Sequence, residues 1–332
     1  MLTLIKQYKK ILVVLFFPYI YLLFMLVAPT DLSVTAPGDI TPVESWIDID
    51  GVTFNHQFHT VYVYSYHPIT AFQNIILSQD NRMNVYETNS YEKDTTWRED
   101  YLSGQIAKKS SLIASLIVAY EKASEIDSTI SIDYKYEGLY IRYRPSRIKV
   151  LEIGDEIIEI DGFKAENFSH QSFLERAYQG NPTYKIRREV SGEYITFDYT
   201  YQREPNENFI LFYPNYSIID ATPSFELPGL DGFIGGPSGG LLQSLSIYVS
   251  LLKLNIEPLI FAGTGTIEVG GNVGRIGGIQ QKLYTAIDQK VDVFLMPKSH
   301  QNDIKDMDYP FELLIVEDFN EAVEMLNDYI NE

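Results

Sequence analysis

The chain has 332 residues, a formal net charge of −19 and no cysteine. The acidic excess argues against nucleic-acid binding, and the lack of cysteine excludes disulfides, thiolate metal ligands and a cysteine nucleophile. The length corresponds to roughly two or three domains.

The first predicted element is a membrane-crossing helix. A basic flank precedes an apolar run over residues 11–28, which only Pro18 interrupts. The flank contains Lys6, Lys9 and Lys10. The run is about long enough to cross a bilayer, and the basic flank should stay in the cytoplasm, so that the following residues face outward. A cleaved signal peptide is the alternative, although Pro29 makes a poor cleavage site there. We therefore predict a single-pass anchor within residues 1–30, with the rest of the chain extracellular.

The next segment mixes extended and helical signals. Residues 29–45 are rich in proline and predict a short tether. Residues 46–66 contain a run of β-formers, and residues 80–100 are polar and predict a loop. Apolar residues at helical spacing then predict an amphipathic packing helix over residues 100–124.

Residues 129–202 form a distinct block of short predicted strands with two glycine motifs. The first motif is Gly138-Leu139-Tyr140-Ile141, and the second, within residues 151–162, contains Gly154-Asp155 and Asp161-Gly162. The block resembles a PDZ domain. The resemblance implies that the first motif receives a peptide C-terminus and that an extended peptide is added to a sheet edge. The alternative is a small β-domain that only positions its neighbours.

From residue 203 onward, predicted strands and helices alternate. Strands are expected at 259–262, 291–296 and 313–316, and helices at 239–253, 278–290 and 319–330. The alternation favours mixed α/β layers, so we predict an α+β protein with a β-rich domain and one N-terminal transmembrane helix.

A glycine-flanked serine precedes the first of these C-terminal helices. Gly235-Gly236-Pro237-Ser238-Gly239-Gly240 permits an unusual backbone geometry at Ser238. A serine at a helix N-terminus lies near free backbone N–H groups that can stabilise an oxyanion. A structural turn with an N-cap serine is the alternative interpretation of this motif alone.

A lysine follows the second glycine motif. Lys282 comes after Gly277-Gly278 and precedes apolar residues of a predicted helix. Burial there would favour the neutral amine, which can act as general base for a serine nucleophile. The two motifs together predict a Ser–Lys hydrolase dyad.

The order of motifs between residues 235 and 282 resembles the Lon-type serine protease domain. The shared order is Gly-Pro-Ser-(Ala/Gly)-Gly, then Thr-Gly-x-Ile, then Gly-x-Val and Ile-Gly-Gly-(x)3-Lys. With the anchor and the PDZ-like block, residues 5–330 resemble the membrane-anchored Lon-type peptidases of Gram-positive bacteria. That group includes the pheromone-processing proteases of streptococci.

The resemblance implies a role for several residues. Ser238 matches the family nucleophile, Lys282 the base, and Thr264 a threonine whose hydroxyl orients the lysine. Backbone groups around Gly236, Pro237 and Gly239 are expected to hold the oxyanion. Two departures are Gly235, where many members have aspartate, and Gly239, where alanine is usual.

The resemblance also implies an endopeptidase without its own ATPase. The 332 residues contain no Gly-x4-Gly-Lys-Ser/Thr loop, so no nucleotide is expected. We assign residues 203–332 to the catalytic domain and residues 31–128 to the tether and the N-terminal part of the protease region. The PDZ-like block would then be an insertion into a split protease domain.

Two other functions remain open from the sequence. Gly236-Pro237-Ser238-Gly239-Gly240 also fits the nucleophile elbow of α/β-hydrolases, with Asp292 and His300 as formal partners. A non-catalytic, membrane-tethered peptide-binding scaffold is the second alternative.

No cofactor and no metal are expected. His56 and His59 have a spacing that permits a metal site, but no third ligand is evident nearby. The expected partners are a peptide or protein substrate and the cell membrane, and homo-oligomer formation is left open.

Overall fold

The structure, a computed structural model, describes residues 8–54, 56–256 and 258–330. Lys6 of the expected basic flank lies outside the described residues. In chain order the helices are α1 (Lys9–Val27), α2 (Ala71–Leu77), α3 (Ser90–Asp94), α4 (Trp97–Ser124), α5 (His170–Ala177), α6 (Gly240–Leu251), α7 (Ile279–Asp288) and α8 (Phe319–Leu326).

The strands are β1 (Leu32–Pro42), β2 (Asp48–Ile49), β3 (Phe58–Tyr66), β4 (Asn84–Glu87), β5 (Ser131–Tyr143), β6 (Glu156–Ile160), β7 (Phe163–Lys164), β8 (Thr183–Val190), β9 (Glu193–Thr200), β10 (Leu211–Thr222), β11 (Phe225–Glu226), β12 (Phe261–Gly263), β13 (Thr266–Ile267), β14 (Val273–Gly274), β15 (Val293–Pro297) and β16 (Glu312–Val316). Short 3-10 turns occupy Val43–Ser45, Ala165–Asn167, Pro228–Asp231, Lys298–Asp303 and Asn327–Tyr329.

Helix α1 is long and apolar enough to cross a membrane, and none of it is buried against the rest of the described chain. A helix with this much exposed apolar surface is costly in water, because water would contact most of its hydrocarbon side chains. The expected N-terminal apolar helix is therefore present over Lys9–Val27.

One six-stranded sheet joins parts of the chain that are far apart in sequence. Its order is β16-β15-β12-β3-β1-β4, with β12 parallel to both β3 and β15, and β15 parallel to β16. Strand β1 is antiparallel to β3 and β4. Strands that precede the β-rich block thus share a sheet with strands that follow residue 260.

Helices cover both faces of this sheet. In β15, Val293 and Leu295 enter a core shared with α4, α6 and α8, whereas Phe294 and Met296 enter the core under α7. This alternation follows from the two-residue period of a strand. Helices α6 and α7 therefore approach the sheet from opposite sides.

The second sheet has the order β10-β5-β6-β8-β9, with β7 paired to β6 and helix α5 packed against β5 and β6. Strand β10 pairs with β5 from Leu211 to Thr222. The β-rich block was expected to end at residue 202. In the structure its sheet also includes β10 and therefore continues to Thr222.

The helices expected over 100–124, 239–253, 278–290 and 319–330 are confirmed as α4, α6, α7 and α8, with ends that differ by a few residues. Helix α4 begins earlier, at Trp97, because Thr96 and Glu99 form a capping box. Helix α8 ends at Leu326 and passes into a 3-10 turn.

Two expectations upstream of α4 are wrong. The segment expected to be a tether contains β1, an eleven-residue strand inside the sheet; its register shifts after Pro37, which accommodates the proline. The segment expected to be a loop contains β4 and α3. Strand β4 pairs with β1, and Asn89 with Glu92 forms a capping box at α3.

Candidate active site

Three side chains converge at the carboxyl end of β12. Ser238 lies just before α6, Thr264 follows β12 directly, and Lys282 lies in the first turns of α7. Because α6 and α7 pack on opposite faces of the sheet, the end of β12 is where their N-terminal turns can meet. The carboxyl ends of parallel strands are the usual location of ligand sites in such sheets.

The lysine amine contacts both hydroxyl groups. Lys282 Nζ lies 2.6 Å from Ser238 Oγ and 2.8 Å from Thr264 Oγ1. The Thr264 hydroxyl donates to the Ser238 carbonyl oxygen at 3.0 Å. Because that bond uses the only hydrogen of the threonine hydroxyl, its oxygen can only accept from the amine. Thr264 thus holds one amine hydrogen while the nitrogen faces Ser238.

Burial sets the charge of the lysine. Lys282 is 2% exposed and Thr264 is 0% exposed. Loss of hydration lowers the pKa of Lys282 to about 7. In the described part of the chain no carboxylate pairs with the amine to oppose this effect. A substantial fraction of Lys282 is therefore neutral near pH 7 and able to accept a proton.

The turn that carries Ser238 is fixed by backbone contacts. The Ser238 carbonyl accepts from Gly265 N–H at 2.8 Å, and the Leu241 N–H donates back to the Gly265 carbonyl at 3.1 Å. Gly236 has a φ of +101°, a conformation that favours glycine. The exchanged bonds tie the Ser238 turn to the segment that carries Thr264.

Helix α4 supports the same turn from behind. Ser111 Oγ donates to the Pro237 carbonyl at 3.0 Å, and Ser115 Oγ donates to the Gly240 carbonyl at 3.1 Å. A Cβ on Gly235 would lie 2.9 Å from the Gly104 carbonyl carbon. The apolar spacing of α4 predicts only a packing helix, and Gly104 inside that pattern is the sequence signal of a close backbone approach.

The expected oxyanion donors are only partly available. The Gly236 N–H donates to the Gly104 carbonyl at 2.8 Å, and Pro237 has no N–H. Within the described residues, the N–H groups of Ser238 and Gly239 have no hydrogen-bond acceptor. These two groups lie at the N-terminus of α6, where the helix dipole adds positive potential. They are the donors that could face an oxyanion on a substrate attacked by Ser238.

A groove with a volume of about 830 Å³ opens over Ser238 and Lys282. Its walls contain many aromatic side chains and the Gly277-Gly278 backbone. The aromatic members are Tyr62, Tyr64, Tyr66, Tyr86, Trp97, Tyr101, Tyr213 and Phe233. The groove is open and partly apolar, features that are compatible with binding of a peptide segment.

The partners of an α/β-hydrolase triad are not assembled. His300 Nε2 accepts from the Ile276 N–H at 2.9 Å, and Nδ1 lies 2.7 Å from Asp303 Oδ2. Burial lowers the pKa of His300, which favours the neutral ring that this acceptance requires. Asp292 instead accepts from the Ile260 N–H. Both ring nitrogens of His300 are thus engaged away from Ser238.

The two histidines with metal-like spacing face different partners. His56 Nδ1 contacts a Glu44 carboxylate oxygen, and His59 Nδ1 lies 3.2 Å from the Gln57 carbonyl. Across the ranges that the structure describes, no group of three His, Asp or Glu side chains is placed to hold a metal ion.

The expected peptide-binding motif lies inside a strand. Gly138, Leu139, Tyr140 and Ile141 belong to β5, about a hundred residues before Ser238 in the sequence. Leu139 is paired with Pro214 of β10 on one side and with Ile157 of β6 on the other. The structure leaves no open strand edge at these four residues to which a peptide could be added.

Comparison with known proteins matches the part of the chain that builds this site. Residues 229–327 match the family described as the Lon protease (S16) C-terminal proteolytic domain. Lon protease 1 of Syntrophobacter fumaroxidans is 31% identical over 96 residues, or 29% of this chain and 11% of that protein. Lon protease of Karelsulcia muelleri is 36% identical over 72 residues, or 22% of this chain and 8% of that protein.

A third relative extends the similarity slightly. Lon protease of Rickettsia felis is 31% identical over 112 residues, which cover 33% of this chain and 14% of that protein. The chain therefore spans only a small part of the curated relatives that it matches. The matched family and these relatives support a serine endopeptidase with a Lon-type proteolytic domain.

Proposed function

We propose that this protein is a membrane-anchored serine endopeptidase that cleaves peptides or proteins outside the cytoplasm without ATP. The observation that carries the proposal is the buried Lys282 amine 2.6 Å from Ser238 Oγ. The match over residues 229–327 supports the activity. Helix α1 supports the anchor, and the lysines before the apolar run support the outward orientation.

The proposed reaction begins with proton transfer. Neutral Lys282 takes the proton from Ser238 Oγ as the oxygen attacks the scissile carbonyl carbon, which gives a tetrahedral intermediate. The N–H groups of Ser238 and Gly239 stabilise its oxyanion. Lys282 then donates the proton to the leaving amine, the carbon–nitrogen bond breaks, and an acyl-enzyme remains. Lys282 then takes a proton from a water whose oxygen attacks the acyl carbon. The bond from that carbon to Ser238 Oγ breaks, the carboxylic acid product leaves, and Lys282 returns the proton to Ser238 Oγ.

We propose that the protease domain is split. Residues 31–128 and the catalytic region from 203 to 332 would form one domain, with the intervening block as an insertion. The shared sheet supports this division, because β3 of the first part pairs with β12 of the second. Contacts from α4 to the Ser238 turn support it independently.

We propose that the PDZ-like block assists substrate binding through a strand edge other than that of Gly138–Ile141. The described sheet ends at β9 and β10. Strand β10 is the better candidate because Tyr213, on that strand, also lines the groove over Ser238. A peptide added to the β10 edge would lie beside the groove, consistent with recognition by strand addition.

Cleavage of an unbiased peptide mixture by the full chain, without ATP, tests the proposed activity. We expect the wild type to cleave and Ser238→Ala to be inactive, because the variant has no nucleophile. Ser128→Ala is the matched control, since this serine is exposed in the turn after α4 and should leave cleavage unchanged. Equal cleavage by wild type and Ser238→Ala would overturn the proposal.

The pH dependence should report Lys282. Because the neutral amine is the active form, kcat/KM should rise as pH increases through about 7 and fall below it. The profile is measured with one cleaved peptide between pH 5 and 9. A rate that is flat or falling across this midpoint would contradict the assignment of Lys282 as the base.

A further inference from the structure

The membrane helix is joined directly to the catalytic sheet. The Ala71 N–H donates to the Ala28 carbonyl at 3.1 Å, and the Thr30 N–H donates to the Ile69 carbonyl at 2.9 Å. The Ile69 N–H in turn donates to the Leu32 carbonyl at 2.9 Å. Helix α2, which starts at Ala71, also packs against α1. Because these bonds begin one residue after α1 ends, no free linker separates the helix from the folded ectodomain.

The same joint leads to the substrate groove. Strand β3 ends at Tyr66, four residues before Thr70, so these two residues are separated by at most about 14 Å. His67 Nε2 lies 4.0 Å from Asp100 Oδ2 in the first turn of α4. Tyr66 and Trp97 both line the groove over Ser238. One end of the groove therefore lies close to the point where α1 leaves the bilayer.

Exposed apolar side chains lie at that end of the groove and on α2, the helix that packs against α1. We call Tyr66, Ile75, Ile76 and Trp97 the membrane-side rim; their exposed fractions are 58%, 55%, 54% and 79%. Trp97 stacks on Tyr101, another groove residue, with ring centroids 5.8 Å apart. Large apolar residues this exposed, two on the groove and two on a helix that packs against α1, are typical of a binding surface rather than of a solvated face.

We propose that the membrane-side rim inserts into the headgroup layer of the bilayer, so that the protease groove opens at the membrane surface. This proposal rests on the proposed anchoring through α1. Tryptophan and tyrosine favour the membrane interface, where the ring is in an apolar layer and the polar atom stays hydrated. Isoleucines on a short helix beside the membrane helix add buried apolar area. The substrates that reach such a groove most readily are peptide segments lying on, or emerging from, the lipid surface.

Charge decides which lipid surface fits. The chain has a formal net charge of −19, so an anionic surface would repel most of the ectodomain. The rim itself contains no charged side chain. Insertion therefore depends on apolar burial and not on attraction to anionic headgroups, and a zwitterionic lipid surface is the appropriate partner.

The two tryptophans of the chain make the proposal directly testable. Trp97 is 79% exposed, Trp46 is 6% exposed, and α1 contains no tryptophan. The full chain is reconstituted into phosphatidylcholine vesicles, either ordinary or brominated on the acyl chain near the headgroup. We expect the Trp97 emission to be roughly twofold weaker in the brominated vesicles than in the ordinary ones. In both kinds of vesicle its maximum should lie at a shorter wavelength than that of a tryptophan in water. Trp97→Phe, which reports Trp46 alone, should show neither change.

A second variant links the rim to catalysis. In Ile75→Ser/Ile76→Ser, both exposed positions tolerate serine, so the fold should persist. We expect weaker quenching of Trp97 and a several-fold higher KM for a vesicle-bound peptide, with unchanged cleavage of a soluble peptide.

The outcomes separate this proposal from the proposed function. Flotation of the vesicles reports the anchor, and soluble-peptide cleavage reports the Ser238 site. A chain that floats and cleaves, but whose Trp97 emission is the same in both vesicles, would overturn the rim alone. A chain that does not float would overturn the anchor and the rim together, whatever its peptidase activity.

Discussion

Replacing Lys282 with arginine should lower kcat/KM for peptide cleavage by about 10³-fold. A guanidinium stays protonated at all accessible pH values, so it has no lone pair to accept the Ser238 proton. The longer, planar head group would also have to fit a site that is 2% exposed. Both effects remove the base while leaving Ser238 and the helix N-terminus in place.

The control for this substitution is Lys305→Arg. Lys305 is exposed, and the same chemical change there should leave cleavage unaltered. The measurement is steady-state cleavage of one defined peptide, together with thermal unfolding to confirm that Lys282→Arg is folded. A folded Lys282→Arg protein with near wild-type turnover would rule out the lysine as the base.

Ser238 and Lys282 could be singled out from the sequence as candidate site residues because their signals are local. The Ser238 turn and the start of α7 are each marked by glycines beside an apolar helical pattern. The proximity of the two side chains is a long-range property of the fold. It was expected only because the order of motifs resembles that of Lon-type domains. The structure now places the two side chains in contact.

The strands upstream of α4 could not be predicted in the same way. Residues 32–42 contain proline and glycine, and their propensity favours an irregular segment. They form β1 because β3 and β4 are available on either side, which is a property of partners and not of the segment itself. Likewise, pairing of Leu139 with β10 depends on residues more than seventy positions away.

The two departures from the Lon-type pattern have a structural explanation. At Gly235, a Cβ would lie 2.9 Å from the Gly104 carbonyl carbon, so an aspartate cannot be placed there without moving α4. At Gly239, a Cβ would lie 2.9 Å from Thr60 Cγ2, so the usual alanine would press on β3. These glycines let α4 and β3 approach the Ser238 turn closely. With glycine at both positions, Gly104 of α4 and Thr60 of β3 can pack directly against the turn.

Thr264→Val should lower kcat by about 100-fold while leaving the protein folded. Valine has nearly the same shape, but it cannot accept the Lys282 N–H or donate to the Ser238 carbonyl. That carbonyl keeps its bond from the Gly265 N–H, so the turn remains held. The amine loses the contact that directs its lone pair at Ser238, and fewer molecules have a productive geometry at any moment.

The pH profile distinguishes this positioning role from a purely structural one. The threonine oxygen accepts from the amine and so stabilises the ammonium form relative to the neutral form. Its removal should move the midpoint of the kcat/KM profile below the value of about 7 expected for wild type. Thr264→Ser keeps the hydroxyl and should recover most of the rate and the wild-type midpoint. The opposite outcome is a Thr264→Val variant with a lower rate and an unchanged midpoint, together with a Thr264→Ser variant that does not recover the rate. In that case the threonine contributes only packing, and the orientation of Lys282 must come from burial alone.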